Sequence, residues 1–178
     1  GMSVASRIET MLAMVMWAVS MSVAPFIGQN WGAGKYLRVK SALRVSNLFA
    51  LSWGFFSYCV LFLAGPYFIS LVNSDPEVIE VAAVYLMITP LGIGLMGIVG
   101  ISNSTFNALG KPVPPLVISL MQMLFLSIPF ALLGDYLFGY KGILMGGVGA
   151  VLVSAGVCFV WLRRTIRAEQ EVEVPASD

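Results

Sequence analysis

The stretch VSNLFALSWGFFSYCVLFLAGPYFISLVNS, residues 45–74, runs for thirty residues without an Asp, Glu, Lys or Arg. A helix needs roughly 20 apolar residues to cross the hydrocarbon core of a bilayer. Four further stretches, 10–34, 81–110, 112–134 and 142–162, are equally free of charge. The ten Lys and Arg and nine Asp and Glu of the 178-residue chain all fall between or outside these runs. Hydrophobic residues make up 58% and charged residues 11%, against about 25% charged in ordinary soluble domains. The runs are apolar on all sides, as in Val60-Leu61-Phe62-Leu63, whereas barrel strands alternate with period two. The fold class is an all-α polytopic membrane protein with five transmembrane helices, expected over residues 5–28, 43–72, 77–109, 113–133 and 142–166. The net charge of +1 says nothing about partners; the apolar runs make the lipid bilayer the expected surrounding, and no nucleic acid is expected.

Positive charge in short loops sets orientation. One side collects Lys35, Arg38, Lys40, Arg44, Lys111, Arg163, Arg164 and Arg167; the other has Arg7 and Lys141, with Glu9, Asp75, Glu77, Glu80 and Asp135. Eight against two puts the C-terminus in the cytoplasm and the N-terminus outside. No cleavable signal peptide is visible, because the first run is too long and continues into a Gly-rich loop. Gly1 before Met2 reads as a tag remnant, so the chain is expected to be a piece of a larger protein whose preceding helices are missing.

Gly28, Gly32 and Gly34 are expected to end the first helix. Residues 35–46 read as a short basic segment on the cytoplasmic surface, its Arg and Lys stems snorkelling toward anionic lipid. Asp75 and Pro76 form a helix start, as N-cap and first helical residue. Residues 168–178 read as a disordered cytoplasmic tail. Gly34-Lys35 and Gly110-Lys111 end two runs of the same direction. Shared helix capping accounts for that parallel without an internal duplication.

The chemistry available is narrow. With no histidine there is no imidazole relay or ligand, and Cys59 and Cys158 lie in separate runs as small buried hydrophobes. The glycines of 28–34 lack the Gly-Lys-Ser/Thr ending of a phosphate-binding loop. No enzyme activity, cofactor or metal site is expected. Polar groups at membrane depth are the remaining signal, since an unpaired one in hydrocarbon is costly. Asn103 and Asn107 lie four residues apart on one face, and Gln122 stands in the fourth run. They serve either interhelical hydrogen bonding or the lining of a transport path. Pro25, Pro90 and Pro129 are expected to bend their helices. Gly94, Gly97 and Gly100 make a groove, and Gly142, Gly146, Ala150 and Ser154 a small-residue ridge, for close helix packing or for a partner. Met11, Met14 and Met21 share a stripe whose thioethers adapt to varied apolar surfaces.

Ser6-Arg-Ile-Glu9, Pro25-Phe-Ile-Gly-Gln-Asn-Trp-Gly-Ala-Gly-Lys-Tyr36, Asn73-Ser-Asp-Pro76 and Asn103-Ser-Thr-Phe-Asn-Ala-Leu-Gly-Lys-Pro112 together resemble the C-terminal half of bacterial multidrug and toxic compound extrusion (MATE) transporters. The likeness reaches to about Arg167. It implies two six-helix lobes rocking about a central cavity, exporting cationic or amphipathic small molecules across the bacterial inner membrane against sodium or proton flow. The chain would then be part of one lobe, with the N-terminal lobe as its missing partner. The first run becomes a cavity-lining element, which gives Met14, Trp17, Met21, Asn103, Asn107 and Gln122 as candidate path-lining residues. No coupling carboxylate can be carried over, because residues 81–110 contain no acid. Two other readings stand beside this one. A related lipid-carrier flippase is disfavoured by the absence of Lys and Arg within any run. A small non-transporting membrane protein would bind its partner through the ridge.

Overall fold

The computed structural model describes residues 2–72 and 76–173. Seven α-helices follow one another among them: α1 (Met2–Gly32), α2 (Tyr36–Val72), α3 (Pro76–Ile88), α4 (Leu91–Ala108), α5 (Val113–Leu120), α6 (Ile128–Phe138) and α7 (Tyr140–Glu173). Four stretches are long and apolar enough to cross a membrane: Ser6–Gly32, Tyr36–Gly65, Val113–Phe138 and Tyr140–Gln170. The pair Ile79–Ile88 and Leu91–Ala108 makes a fifth if taken as one span, bent by 44°.

α4 is the centre. It packs against α1, α2 and α7, and α7 in turn packs along α6. The buried set draws on every side of that centre: Met16 and Ile27, Val39 and Ala50, Ile93 and Phe106. Small residues set the spacing. A Cβ on Gly94 would lie 2.8 Å from the Ala50 carbonyl oxygen, one on Gly97 3.1 Å from the Ala50 Cβ, and one on Gly100 2.8 Å from the Ser20 hydroxyl. The glycine groove of α4 therefore receives α2 and α1. The ridge of α7 is filled from within the chain as well. A Cβ on Gly146 would fall 2.4 Å from the Phe130 carbonyl oxygen, and Ala150 and Ser154 are fully buried. This corrects the expectation that a separate partner docks on that ridge.

The helix limits differ from the expected ones for local reasons. α1 continues to Gly32 and stops where Gly34 adopts φ 68°. There Lys35 N–H donates to the Asn30 carbonyl at 2.8 Å and Gly34 N–H to that of Trp31 at 2.9 Å, a Schellman cap. Gly110, at φ 70°, repeats it, with Lys111 N–H donating to Phe106 at 2.9 Å and Gly110 N–H to Asn107 at 3.0 Å. The two Gly-Lys endings share one backbone device. The basic segment 35–46 is not a separate surface piece. It forms the first turns of α2, because it lacks Gly and Pro and places Val39 and Leu43, both buried, one turn apart on the core side.

The third run is broken rather than continuous. Pro90 has no N–H to offer and its ring crowds the preceding turn, so α3 ends at Ile88 and α4 starts at Leu91. Between α5 and α6 the backbone widens to π-type turns over Met121–Ser127, just ahead of Pro129, and the helix runs past the expected limit to Phe138. α7 begins two residues before the expected start and extends to Glu173, so residues 168–173 of the expected tail are helical. Residues 174–178 and the cap Asp75 lie outside the described residues.

Candidate functional site

α1 has two faces of opposite character. Met16, Ser20 and Ile27 turn inward, and the Ser20 hydroxyl donates to the Met16 carbonyl at 2.8 Å, which satisfies it within its own helix. Met14 and Met21 lie on the opposite side, and Trp17 beside them is 57% exposed. With Met11 and Pro25, also exposed, they form an uncharged stripe, sulfur-rich and with one aromatic ring, that no other described helix covers.

On α4, Asn103 is half-buried and its Oδ1 is enclosed without a hydrogen-bond partner. Its neighbour Ser102 is buried and its hydroxyl is equally without one. Asn47 Oδ1 and Ser57 Oγ on α2 share this condition. Thr105, by contrast, donates to the Ile101 carbonyl at 2.7 Å. Asn107 is exposed, so it and Asn103 share a helix side but not an environment. Gln122 is half-buried inside the widened turns between α5 and α6. The six candidate residues thus fall into three places: the open face of α1, one side of α4 that is half-buried at Asn103 and exposed at Asn107, and the irregular turn.

A small apolar cavity of about 290 Å³ separates α2, α4 and α7, bounded by Gly54, Phe55, Tyr58, Leu91, Gly94 and Val148. A shallower groove of about 730 Å³ follows α7 past Gly156, Val160 and Trp161 to Arg164 and Thr165. Among the described residues no group of three His, Cys, Asp or Glu side chains could hold a metal ion. Cys59 and Cys158 are both free thiols.

Three links escaped the sequence. Glu9, counted among the charges of the outer side, is half-buried and accepts the Tyr85 O–H across from α3. At the basic end of the bundle, Lys111 pairs with Glu169 and Lys40 Nζ donates to Gln170 Oε1 at 2.6 Å. The usable signal for the first was a carboxylate immediately before an uncharged run, with Tyr85 and Thr89 one turn apart and Pro90 next to them in another. The other two needed the length of α7, which the charges from Arg163 onward concealed.

Known proteins share this arrangement. The chain is 38% identical over 160 residues to an FAD transporter of Shewanella oneidensis, covering 89% of this chain and 35% of that protein. It is 19% identical over 181 residues to the "Probable multidrug resistance protein NorM" of Thermotoga maritima, covering 97% and 39%. The chain therefore spans less than two-fifths of the length of these curated relatives. Among solved structures, the Vibrio cholerae MATE transporter VcmN in its bent form superposes with a TM-score of 0.87 at 25% identity, over 94% of this chain and 38% of that one. The MATE transporter ClbM in complex with Rb+ gives 0.85 at 24%, over 96% and 41%. The broken third span, the glycine-lined α4 and the two Gly-Lys caps are thus set in a known transporter frame. Since the MatE family model also matches residues 1–133, the chain belongs to the MATE family of membrane transporters.

Proposed function

We propose that these helices form the C-terminal part of a cation-coupled antiporter, driven by sodium or protons, that exports amphipathic or cationic small molecules from a bacterial cell. The observation that carries this reading is the open stripe of α1, where Met14, Trp17 and Met21 present polarisable, uncharged surface. Such a surface holds varied apolar molecules by dispersion and ring stacking without demanding one shape. Asn103, Asn107 and Gln122 supply hydrogen-bonding groups to the same path. The basic end, with Lys111 and α7, faces the cytoplasm, and the end holding Glu9 faces outward. An N-terminal lobe completes the cavity, so the 178 residues by themselves do not transport. The test is export in a drug-sensitive bacterial strain. The intact transporter restores growth on cationic dyes, and the chain alone does not. Coupled efflux by the chain alone contradicts the two-lobe reading.

A second substrate reading follows from the 38% identity to an FAD transporter. Trp17 offers a flat ring on an apolar face, suited to stacking a flavin or adenine plane. Export of flavin nucleotide, with no change in dye resistance, would favour it over the multidrug reading.

A further inference from the structure

Glu9 lies within Ser6–Gly32, a segment long and apolar enough to span a bilayer. It stands three residues from one end of that segment, half-buried, and a carboxylate taken out of water is costly unless it is paired, so its partner has to be identified. The partner is Tyr85 on α3, whose O–H donates to the Glu9 carboxylate. One turn on, Thr89 Oγ1 donates to the Tyr85 carbonyl. The Pro90 break and its 44° bend follow at once. Close by on α1, the Leu12 carbonyl accepts from Trp53 Nε1 of α2 at 2.9 Å. α1 therefore holds α2 through a neutral bond to its backbone, and holds α3 through a side chain that can gain or lose charge.

That difference matters because of where α3 is free to go. It is a 13-residue helix that packs on α2, where Leu86 sits against Gly65, and continues into the central α4 through the break at Thr89-Pro90, so its motion is a pivot along α2 that changes its distance from α1. A phenol donating to a carboxylate makes a charge-assisted bond, about twice as strong as its neutral counterpart. Adding a proton to Glu9 removes the charge and with it about half of that bond's strength. We propose that Glu9 is a proton-binding site that clamps α3 against α1 when ionised and releases it, about the Pro90 break, when protonated. The sign is fixed by the bond: the clamp is complete at high pH and is lost as pH falls.

The surroundings leave Glu9 as the group placed to do this. On α3 the described titratable side chains are Tyr85 itself and Glu80, which is exposed. α4 contributes none, since Leu91–Ala108 contains no acid, base, Tyr or Cys. α2 approaches through the Trp53 indole; its Tyr58 lines the cavity shared with α4 and α7, and its Cys59 is half-buried. On α1 itself Arg7 is exposed. Tyr140, at the head of α7, lies within electrostatic reach of Tyr85, with Lys141 exposed beside it.

The clamp can be read in the 178-residue chain without any transported substrate, so its failure and the failure of the transport reading are separate results. Spin labels at Met11→Cys on α1 and Val81→Cys on α3, in a background of Cys59→Ala and Cys158→Ala, report the α1–α3 distance in lipid nanodiscs. From about pH 9 to about pH 4, across the carboxylate range, the parent should pass from one short, narrow distribution to a mixture with a longer one. Glu9→Gln should show the longer distribution at every pH, and so should Tyr85→Phe, which keeps the carboxylate but removes the donor. Helix content by circular dichroism confirms that each variant is folded, and Tyr85→Phe decides the matter if Glu9→Gln does not fold. A pH-invariant parent overturns the proposal, as does a pH response that survives in Tyr85→Phe. A response that follows sodium at constant pH, and not pH, overturns the assignment to a proton.

Discussion

Gly134 and Gly142 meet backbone to backbone: a Cβ on Gly142 would lie 1.9 Å from the Gly134 carbonyl oxygen, and one on Gly134 2.1 Å from that of Gly142. No side chain fits on either helix at this crossing. Both contacting atoms belong to backbone, so the strain cannot be relieved by turning a rotamer. The seam between α6 and α7 depends on two hydrogen atoms where other residues carry carbon.

Gly142→Ala should therefore force α6 away from α7 and destabilise the bundle by about 2–3 kcal/mol, the cost of overpacking a close contact. Gly147→Ala is the internal comparison, because a Cβ there meets nothing within 4 Å. It should be neutral or gain up to about 1 kcal/mol in helix propensity. Thermal unfolding of the two variants in detergent, side by side, checks the difference.

Pro90→Ala restores a backbone donor and removes the ring that crowds the turn before it. The angle between α3 and α4, 44° in the parent, should fall. Label pairs spanning Val81 and Met96, both exposed, would register a longer separation as the two halves straighten.

Trp17→Ala should leave stability within about 0.5 kcal/mol of the parent, since the ring is exposed. In the intact transporter it should lower export of planar substrates by about 5-fold to 10-fold, the loss of one stacking contact of about 1 kcal/mol. Equal expression and unchanged export would assign the ring to lipid contact.

Asn103→Leu separates packing from transport. Its Oδ1 has no partner to lose, so the substitution should not destabilise the chain and can even stabilise it. Export by the intact transporter should nonetheless fall. Unchanged export at equal expression would return Asn103 to a purely structural role.

Lys111→Ala should cost no more than about 1 kcal/mol, because the Lys111–Glu169 side chains are 39% and 41% exposed. Much of that difference should disappear in molar salt, where exposed charges are screened. Melting curves at low and high ionic strength, for Lys111→Ala and Glu169→Ala, test both statements.

The helices themselves were legible because lipid imposes a length that a run of uncharged residues displays directly. Residues 45–74 need no partner to be read in this way. The repeated Gly-Lys endings were legible too, since a left-handed glycine closes a helix locally. What escaped were outcomes of competition over distance. Residues 35–46 look like a surface segment by charge, yet Val39 and Leu43 pull them into α2 through burial. Glu9 and Tyr85 stand 76 positions apart, and nothing in either neighbourhood names the other. The split of Asn103 from Asn107 depends on which neighbouring helix covers each, which the four-residue spacing cannot express.

The widened turns at Met121–Ser127 change how the whole fourth span has to be read. Each extra residue housed in such a turn rotates everything beyond it by about 100°. Val113–Leu120 and Ile128–Phe138 are thus two rods joined end to end out of phase. A side chain counted forward from Ile118 in steps of 3.6 will be assigned to the wrong compass point by the time the count reaches Leu132. Any scan of cysteine accessibility along this span should show its periodicity jump at Gln122 and resume, offset, after Pro129.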